Sequence, residues 1–345
     1  QAAGAPGSGV GGGLMTTMTA LTLQDSLVSG CDAIGTDNAS GGGLALIDQT
    51  AATITNTLIA KNTSTNFGGG LFAQGATLAV SGCSLVNNEV SPGVAEAVGN
   101  SYGAAIFASP ADGANLPVNG TVSNSIISSN VGLPIFDDDR TNGPINDVRY
   151  NGNQIYSTTF GSTVYTDSVA GFCCKTTSQL NGLTVTRSNG ASTDKSQTDN
   201  SLLASAPVVG ALLAVPSDIL AVNAVGDSAP PTTSYLAYAW SGGSATLDGS
   251  AVSGNAGLTP AAGTGGHTLV VGGTSFPTTV GFGAAPTATF DANPTTVNTG
   301  QASILSWTTS AGNFLTAAID QGVGAFTSGN ASTSVTPSAS TTYSF

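Results

Sequence analysis

Six charged residues between positions 137 and 149 form the one dense charge cluster of this 345-residue chain. They are Asp137, Asp138, Asp139, Arg140, Asp147 and Arg149. Carboxylates grouped in this way can hold Ca²⁺ against an acidic sugar, and an arginine beside them can take the sugar's α-proton. The cluster is therefore either a site for cleaving a polysaccharide, with Asp137–Asp139 as the metal ligands, or a solvated loop whose aspartates pair with its arginines. The loop is the favoured interpretation, because no neighbouring segment offers matching carboxylates.

Other catalytic chemistries find little support in the residues. Glycoside hydrolysis needs two facing carboxylates, and the chain lacks the Asn-Thr-Asp, Gly-His-Gly and Arg-Ile-Lys motifs of a polygalacturonase-like site. His267 is the sole histidine, so a hydrogen bond at a strand end is expected for it rather than a metal site. Cysteine pairs with zinc spacing are absent. We therefore expect no catalytic residues, no resident metal and no cofactor, with Ca²⁺ at the acidic cluster as the one alternative.

A repeated Gly-Gly-Gly-Leu pattern defines the elements that position the acidic cluster. Gly11-Gly12-Gly13-Leu14 recurs at 41–44 and 68–71, and more weakly at 103–106. A short apolar pair follows each copy, and Leu58, Leu85 and Ile126 belong to three of these pairs. Two apolar patches in fixed order, repeated about every thirty residues, predict stacked coils of parallel β-strands over residues 1–200.

The alternation within each coil predicts which side chains point inward. It places Ile54 and Val122 in the interior, and stacks Leu58, Leu85 and Ile126 in one interior column. The corner asparagines Asn62, Asn87, Asn88 and Asn130 are expected to form hydrogen bonds from coil to coil. Further coils are predicted at Val148–Ile155 and at Leu183–Val185.

The GGGL repeats with their following asparagines resemble right-handed parallel β-helix surface proteins, a group that includes bacterial adhesins and polysaccharide-degrading enzymes. Residues 201–233 are interpreted as a closing segment and linker. Residues 234–283, with Trp240 before a Gly-His-Thr-Leu-Val strand, resemble a PKD-like module. Residues 284–345, with Leu305-Ser306-Trp307 and a final Ser-Thr-Thr-Tyr, resemble a bacterial immunoglobulin-like module. The predicted fold class is all-β, a right-handed parallel β-helix followed by immunoglobulin-like β-sandwich modules.

The composition limits the partners. Only 7% of the residues are charged and the net charge is −13, which disfavours nucleic acid and anionic membranes. No apolar run approaches the roughly 18–20 residues of a membrane span. Cys31 and Cys83 lie in similar stretches of two repeats and are expected near one another, while Cys173 and Cys174 are adjacent.

Together these features predict a secreted or cell-surface structural protein, either an adhesin or the subunit of an extracellular filament. Its expected partners are further copies of itself, cell surfaces or glycans. The alternative is a polysaccharide lyase or glycan-binding protein that uses the region from Asp137 to Arg149.

Overall fold

The computed structural model describes residues 2–3, 9–35, 39–91, 102–111, 116–138, 145–157, 165–167, 184–186, 192–194, 199–216, 234–260, 265–280, 288–309, 317–326 and 330–344. These residues form strands, turns and irregular segments and contain no helix, so none of them belongs to a helix that could cross a bilayer. The all-β fold class predicted from the sequence is confirmed. Strands are numbered β1 to β35 in chain order.

The N-terminal part is a parallel β-solenoid with four faces, here named sheets A to D. Sheet A contains β1 (Ala2–Ala3), β5 (Asp32–Ile34), β9 (Thr63–Ser64) and β13 (Glu89–Val90). Sheet B contains β2 (Leu14–Thr17), β6 (Leu44–Ile47), β10 (Leu71–Gln74), β14 (Tyr102–Ser109), β17 (Leu133–Asp137) and β20 (Tyr165–Asp167). Sheet C contains β3 (Ala20–Gln24), β7 (Ala51–Thr55), β11 (Thr77–Ser81), β15 (Asn119–Ser123) and β18 (Asp147–Asn151). Sheet D contains β4 (Leu27–Ser29), β8 (Leu58–Ala60), β12 (Ser84–Val86), β16 (Ile126–Ser128), β19 (Gln154–Tyr156) and β23 (Ser201–Leu202).

The GGGL repeats set the register of sheet B. Leu14, Leu44, Leu71 and Ile106 are paired in register, one strand above another, as the repeat predicts. The middle glycine is required by close packing: a Cβ on Gly42 would lie 2.4 Å from the carbonyl oxygen of Thr63 and 2.5 Å from that of Gly69. A larger residue there would force the coils apart.

The corner between sheets C and D repeats one backbone conformation. Asp25, Asn56, Gly82, Asn124 and Gly152 occupy it in successive coils, with φ of 48°, 46°, 60°, 48° and 66°. This left-handed region suits glycine, asparagine and aspartate, which explains why these three residue types alternate at the corner.

The interior of the solenoid is a continuous apolar core. Ile54, Val80 and Val122 form an inward column on sheet C, as predicted for Ile54 and Val122. On sheet D the inward column is Val28, Ile59, Leu85, Ile127 and Ile155.

The predicted interior column of Leu58, Leu85 and Ile126 is therefore wrong for two of its three members. Leu58 and Ile126 pair with Ser84 instead of Leu85 and face outward, where they pack with Val209 and Ala239. The strands of sheet D are apolar at successive positions because both of their faces are covered, so alternation could not identify the inner one.

The predicted asparagine ladder is confirmed for Asn62, Asn88 and Asn130, whereas Asn87 faces outward and donates to the carbonyl oxygen of Trp240. Asn62, Asn88 and Asn130 are buried at the corner between sheets D and A. The Nδ2 of Asn62 donates to the Oδ1 of Asn88 at 3.0 Å, and the Nδ2 of Asn88 donates to the Oδ1 of Asn130 at 3.1 Å. Each amide thereby satisfies polar groups that would otherwise be buried without a partner.

The last coils follow the prediction in part. β18 and β19 supply the coil predicted at Val148–Ile155. The coil predicted at Leu183–Val185 is wrong, because β21 (Thr184–Thr186) pairs antiparallel with β22 (Ser192–Asp194). A nearby antiparallel partner closes a much shorter loop than a return to the solenoid would.

Two of the four cysteines lie in the described residues, and both are free thiols. Cys31 follows β4, whereas Cys83 precedes β12, so they occupy different corners of the coil rather than equivalent ones. Burial raises the pKa of both thiols. Cys173 and Cys174 lie outside the described residues.

Antiparallel sheets follow the solenoid. The first antiparallel module (residues 209–280) has one sheet of β24 (Val209–Pro216), β25 (Ser234–Ser241) and β28 (Ala256–Pro260). Its other sheet contains β27 (Ser250–Val252), β26 (Ala245–Leu247), β29 (Gly265–Val271) and β30 (Thr274–Val280). The second antiparallel module (residues 288–344) has a sheet of β31 (Ala288–Asn293), β32 (Ser303–Thr309) and β35 (Asn330–Val335), and a hairpin of β33 (Ala317–Ile319) and β34 (Gly324–Phe326).

The first antiparallel module packs against sheet D. The chain divides into one compact unit of Gln1–Val222 with Thr233–Val280 and a second of Asn223–Thr232 with Gly281–Phe345. Within the first unit, the Nδ2 of Asn87 donates to the carbonyl oxygen of Trp240 at 2.8 Å, and Lys61 donates to the carbonyl oxygen of Gly254. The segment 201–233 contributes to both parts, since β23 extends sheet D and β24 pairs with β25.

Trp307 is the core residue of the second antiparallel module. It is 2% exposed and clusters with Leu305 and Ile319. We expect Trp307→Ala to destabilise this module by about 3–5 kcal/mol and to leave the first compact unit unchanged. Calorimetry of the full chain measures this, with Trp240→Ala as the matched change in the first module. A single transition shifted by both variants would contradict it.

Candidate functional site

The acidic cluster divides between the two faces of sheet B. Asp137 ends β17 and points inward, where it is completely buried and its Oδ1 accepts a hydrogen bond from the Nδ2 of Asn146 at 2.7 Å. Asp138 follows it and lies on the outer side, 3.4 Å from the hydroxyl of Ser109. Neighbouring residues on a strand face opposite sides, so the two carboxylates cannot reach the same ligand from this strand.

The remaining charges of the cluster lie elsewhere. Asp147 and Arg149 are on β18 in sheet C, where the Nε of Arg149 lies 3.3 Å from the Oδ1 of Asp147. Their side chains are 33% and 43% exposed, as expected for the solvated pair. Asp139 and Arg140 lie outside the described residues. Within the described ranges, no three His, Cys, Asp or Glu side chains are close enough to hold a metal ion. The described members of the cluster thus do not form one site.

Tyr150 is a buried polar residue that no motif in the sequence marks. It lies on β18, fully buried in the solenoid core. Burial, and secondarily the carboxylate of Asp137, raise the pKa of its phenol well above the ordinary value. Tyr150 is therefore neutral at physiological pH. Its position continues the inward column of Ile54, Val80 and Val122, so alternation alone could have located it.

The outer face of sheet B carries a groove of about 530 Å³, here named the sheet B groove. Its aromatic wall consists of Phe67, Phe72, Tyr102, Phe107 and Phe136. Its polar rim is formed by Gln74, Ser109 and Asp138. The rim residues lie side by side on adjacent strands. Gln74 pairs with Ser109. Asp137 pairs with Ala108, so Asp138 lies next to Ser109.

The aromatic rings stack on one another along the solenoid. The centroids of Phe72 and Phe107 are 5.7 Å apart with an interplanar angle of 16°, and those of Phe107 and Phe136 are 5.3 Å apart at 10°. Phe67 tilts onto Phe107 at 4.6 Å, and Tyr102 onto Phe136 at 4.4 Å. Since the ring faces contact one another, the column stabilises the sheet. Phe72, Phe107 and Phe136 are 7%, 3% and 7% exposed, so a ligand can reach only a small part of each ring.

A sequence signal for this column exists. Phe72, Phe107 and Phe136 each come directly after an aligned Leu71, Ile106 or Ile135. An aromatic residue repeated next to an inward apolar residue must face outward on a strand. The three therefore had to form one outer column.

The sheet B groove is suited to binding rather than to acid–base chemistry. Asp138 is the one ionisable carboxylate among its described lining residues, whereas glycoside hydrolysis needs two. Gln74, Ser109 and Asp138 can exchange hydrogen bonds with a polar ligand while the exposed ring atoms contact its apolar parts.

His267 forms the strand-end contact that the sequence predicts. Its Nδ1 lies 2.7 Å from the Oδ2 of Asp248, and the N–H of Thr268 donates to the Oδ1 of Asp248 at 2.8 Å. Partial burial acts to raise the pKa of Asp248, but the hydrogen bonds from His267 and Thr268 outweigh it and lower that pKa below its ordinary value of 3.8.

This contact predicts a pH effect on the first antiparallel module. A carboxyl group whose pKa is lowered by folding stabilises the folded state above its unfolded pKa. That contribution is lost as the pH falls through the lower, folded value. We expect the unfolding midpoint of the wild type to fall more steeply below about pH 4 than that of Asp248→Asn. Parallel acid-unfolding curves for the two proteins would refute this.

No protein-family model, no curated protein and no solved structure matches this chain.

Proposed function

We propose that this protein is a secreted or cell-surface structural protein of the adhesin type, which acts by binding and uses the sheet B groove as its contact surface. The observation that carries the proposal is the groove itself: an aromatic wall and a three-residue polar rim held on one rigid parallel sheet. Preformed concave surfaces with a few converging polar groups are the usual form of a binding site.

The solenoid is suited to serve as a scaffold for a binding surface. The interior columns and the asparagine ladder connect each coil to the next. Because only 7% of the residues are charged, water hydrates the surface mainly through hydroxyl and amide groups. The resemblance to β-helix adhesins with PKD-like and immunoglobulin-like modules points the same way, and it extends the proposal to display outside the cell.

The ligand that best fits the groove is an uncharged glycan chain. Its hydroxyl groups would donate to Asp138 and Gln74, and its C–H groups would contact the exposed ring atoms of the wall. An anionic polymer would meet the Asp138 carboxylate and the net charge of −13, so we expect neutral glycans to be preferred.

Binding of the full chain to immobilised neutral and uronate polysaccharides tests the proposal. We expect retention on at least one neutral glycan, with a loss of about tenfold or more in affinity for the double variant Gln74→Ala/Asp138→Ala. Asp147→Ala, on sheet C, is the matched control and should bind as the wild type does. Retention that is insensitive to the rim variant would overturn the assignment of the groove.

The same preparation distinguishes the lyase alternative. Incubation with uronate polymers and Ca²⁺ should give no unsaturated product if the protein only binds. Product that disappears in Arg149→Ala would replace the binding proposal with an eliminating enzyme.

A further inference from the structure

A second groove, of about 370 Å³, lies between the solenoid and the first antiparallel module. We name it the β24 groove. One wall is the stretch 210–213 of β24 together with 275–277 of β30, and the other is the corner of sheets C and D at Asp25, Asn56 and Gly82. Both parts belong to the same compact unit. None of the residues used in the proposed function lines this groove.

The β24 strand offers an open edge to the groove. In the described part of the chain it pairs with β25 alone, as the outer strand of its sheet. The N–H of Trp240 donates to the carbonyl oxygen of Asn255 at 2.8 Å. Asn255 directly precedes β28, so Trp240 turns its polar backbone groups toward that strand. Its partner Gly210 must then turn its own N–H and C=O away from β25. Leu212, two residues along, does the same.

The edge of the neighbouring strand β30 is interrupted by a proline. β30 is also an outer strand, but Pro277 within the lining stretch has no N–H to donate. Proline at an outer strand is a common protection against strand pairing. β24 has no proline between Val209 and Val215, so an added strand can pair along it without interruption.

The opposite wall is polar and carries one negative charge. The carboxylate of Asp25 accepts hydrogen bonds from the Nδ2 of Asn56 at 2.6 Å and the Nε2 of Gln24 at 2.9 Å. Ser26 and Ser84 add hydroxyl groups to the same wall. A chain lying along β24 would have its outward polar groups and any basic side chain directed at this corner.

We propose that the β24 groove binds an extended polypeptide segment of a partner protein, which adds a strand to β24 and places a basic side chain near Asp25. Unpaired N–H and C=O groups at strand spacing are matched by another extended backbone. A saccharide or a small anion lacks that alternation of donors and acceptors. The negative corner and the net charge of −13 select a basic segment.

Amide hydrogen exchange on the full chain tests the proposal. The probe is a synthetic peptide of alternating threonine and valine with a lysine near each end. At saturation we expect exchange at the Gly210 and Leu212 amides to slow by about tenfold or more. The Ala211 and Leu213 amides already face β25 and should not change. The same peptide with every backbone amide N-methylated has no N–H to donate along either edge and should have no effect.

A pair of conservative variants tests the charge. Asp25→Asn keeps the left-handed corner and should weaken binding of the lysine peptide by about two- to fivefold, the range of an exposed ion pair. Asp48→Asn is the matched control, because Asp48 is also a left-handed corner residue, with φ of 42°, but does not line the groove. Unchanged exchange at Gly210 and Leu212, or equal protection by the methylated peptide, would overturn the proposal. Equal effects of the two variants would remove Asp25 from it.

Discussion

Ile127→Asp is expected to unfold the solenoid, whereas Ile126→Asp one residue earlier should mainly loosen the first antiparallel module. Ile127 is fully buried in the inward column of sheet D. An unpaired carboxylate there would cost at least about 3–5 kcal/mol, in addition to the lost packing. Ile126 is only partly buried and faces the module with Leu58 and Val209, so its replacement should cost about 1–2 kcal/mol.

Amide exchange separates the two effects. Ile127→Asp should accelerate exchange across sheets B, C and D, which share one core. Ile126→Asp should accelerate it in β25, which contacts β4 and β8 of sheet D, and in β24, whose Val209 packs in the same cluster as Ile126. Ile127→Val is the control, with an expected loss of about 0.5–1.5 kcal/mol. A larger effect at Ile126 than at Ile127 would mean that the register of sheet D is shifted by one residue.

This pair of residues shows what the sequence could predict about the fold. The glycine triplets and the inward leucines were sufficient for the coils, because a Cβ at Gly42 would collide with the backbone of neighbouring coils. Alternation was sufficient for sheet C, where one face is apolar and the other polar. It failed on sheet D, because Leu58 and Ile59 are both buried, one by the module and one by the core. Contacts with a segment about 150 residues away leave no local periodicity to read.

The candidate site was predictable only in its polar rim. Asp138 belongs to the cluster found in the sequence, but its partners in the groove come from strands one and two coils away. The cluster also combined residues that the strand geometry separates, since Asp137 points into the core and Asp147 lies on another sheet. Charge density along the chain thus located a region without revealing which of its side chains share a surface.

The two grooves are complementary in chemistry. The sheet B groove combines an aromatic wall with a short polar rim, and the β24 groove combines an open strand edge with a polar corner. Side-chain contacts dominate the first and backbone groups dominate the second, so ligands of different classes suit them. The sheet B groove lies on a parallel sheet of the solenoid, and one wall of the β24 groove is a solenoid corner, so the geometry of both depends on the stability of the solenoid.

The asparagine ladder is the corner feature whose loss should be most costly, and Asn88→Ala is expected to destabilise the solenoid by about 3–5 kcal/mol. Asn88 is completely buried. Its Oδ1 accepts from the backbone N–H and the Nδ2 of Asn62 at 3.1 and 3.0 Å, and its Nδ2 donates to the carbonyl oxygen of Ile59 at 3.0 Å. Alanine would leave these groups buried with those bonds unmade.

The matched control for this prediction is Asn124→Gly. Asn124 is an exposed corner residue with φ of 48°, a conformation that glycine adopts readily, so the change should cost only a few tenths of a kcal/mol. Denaturant unfolding of the full chain measures both variants. Asn88→Asp should be at least as harmful as Asn88→Ala, because its carboxylate would face the carbonyl oxygen of Ile59 where an amide now donates. If Asn88→Ala and Asn124→Gly unfold at the same denaturant concentration, the ladder does not hold the coils together, and the stability of the corner must come from the backbone ladder and the apolar core alone.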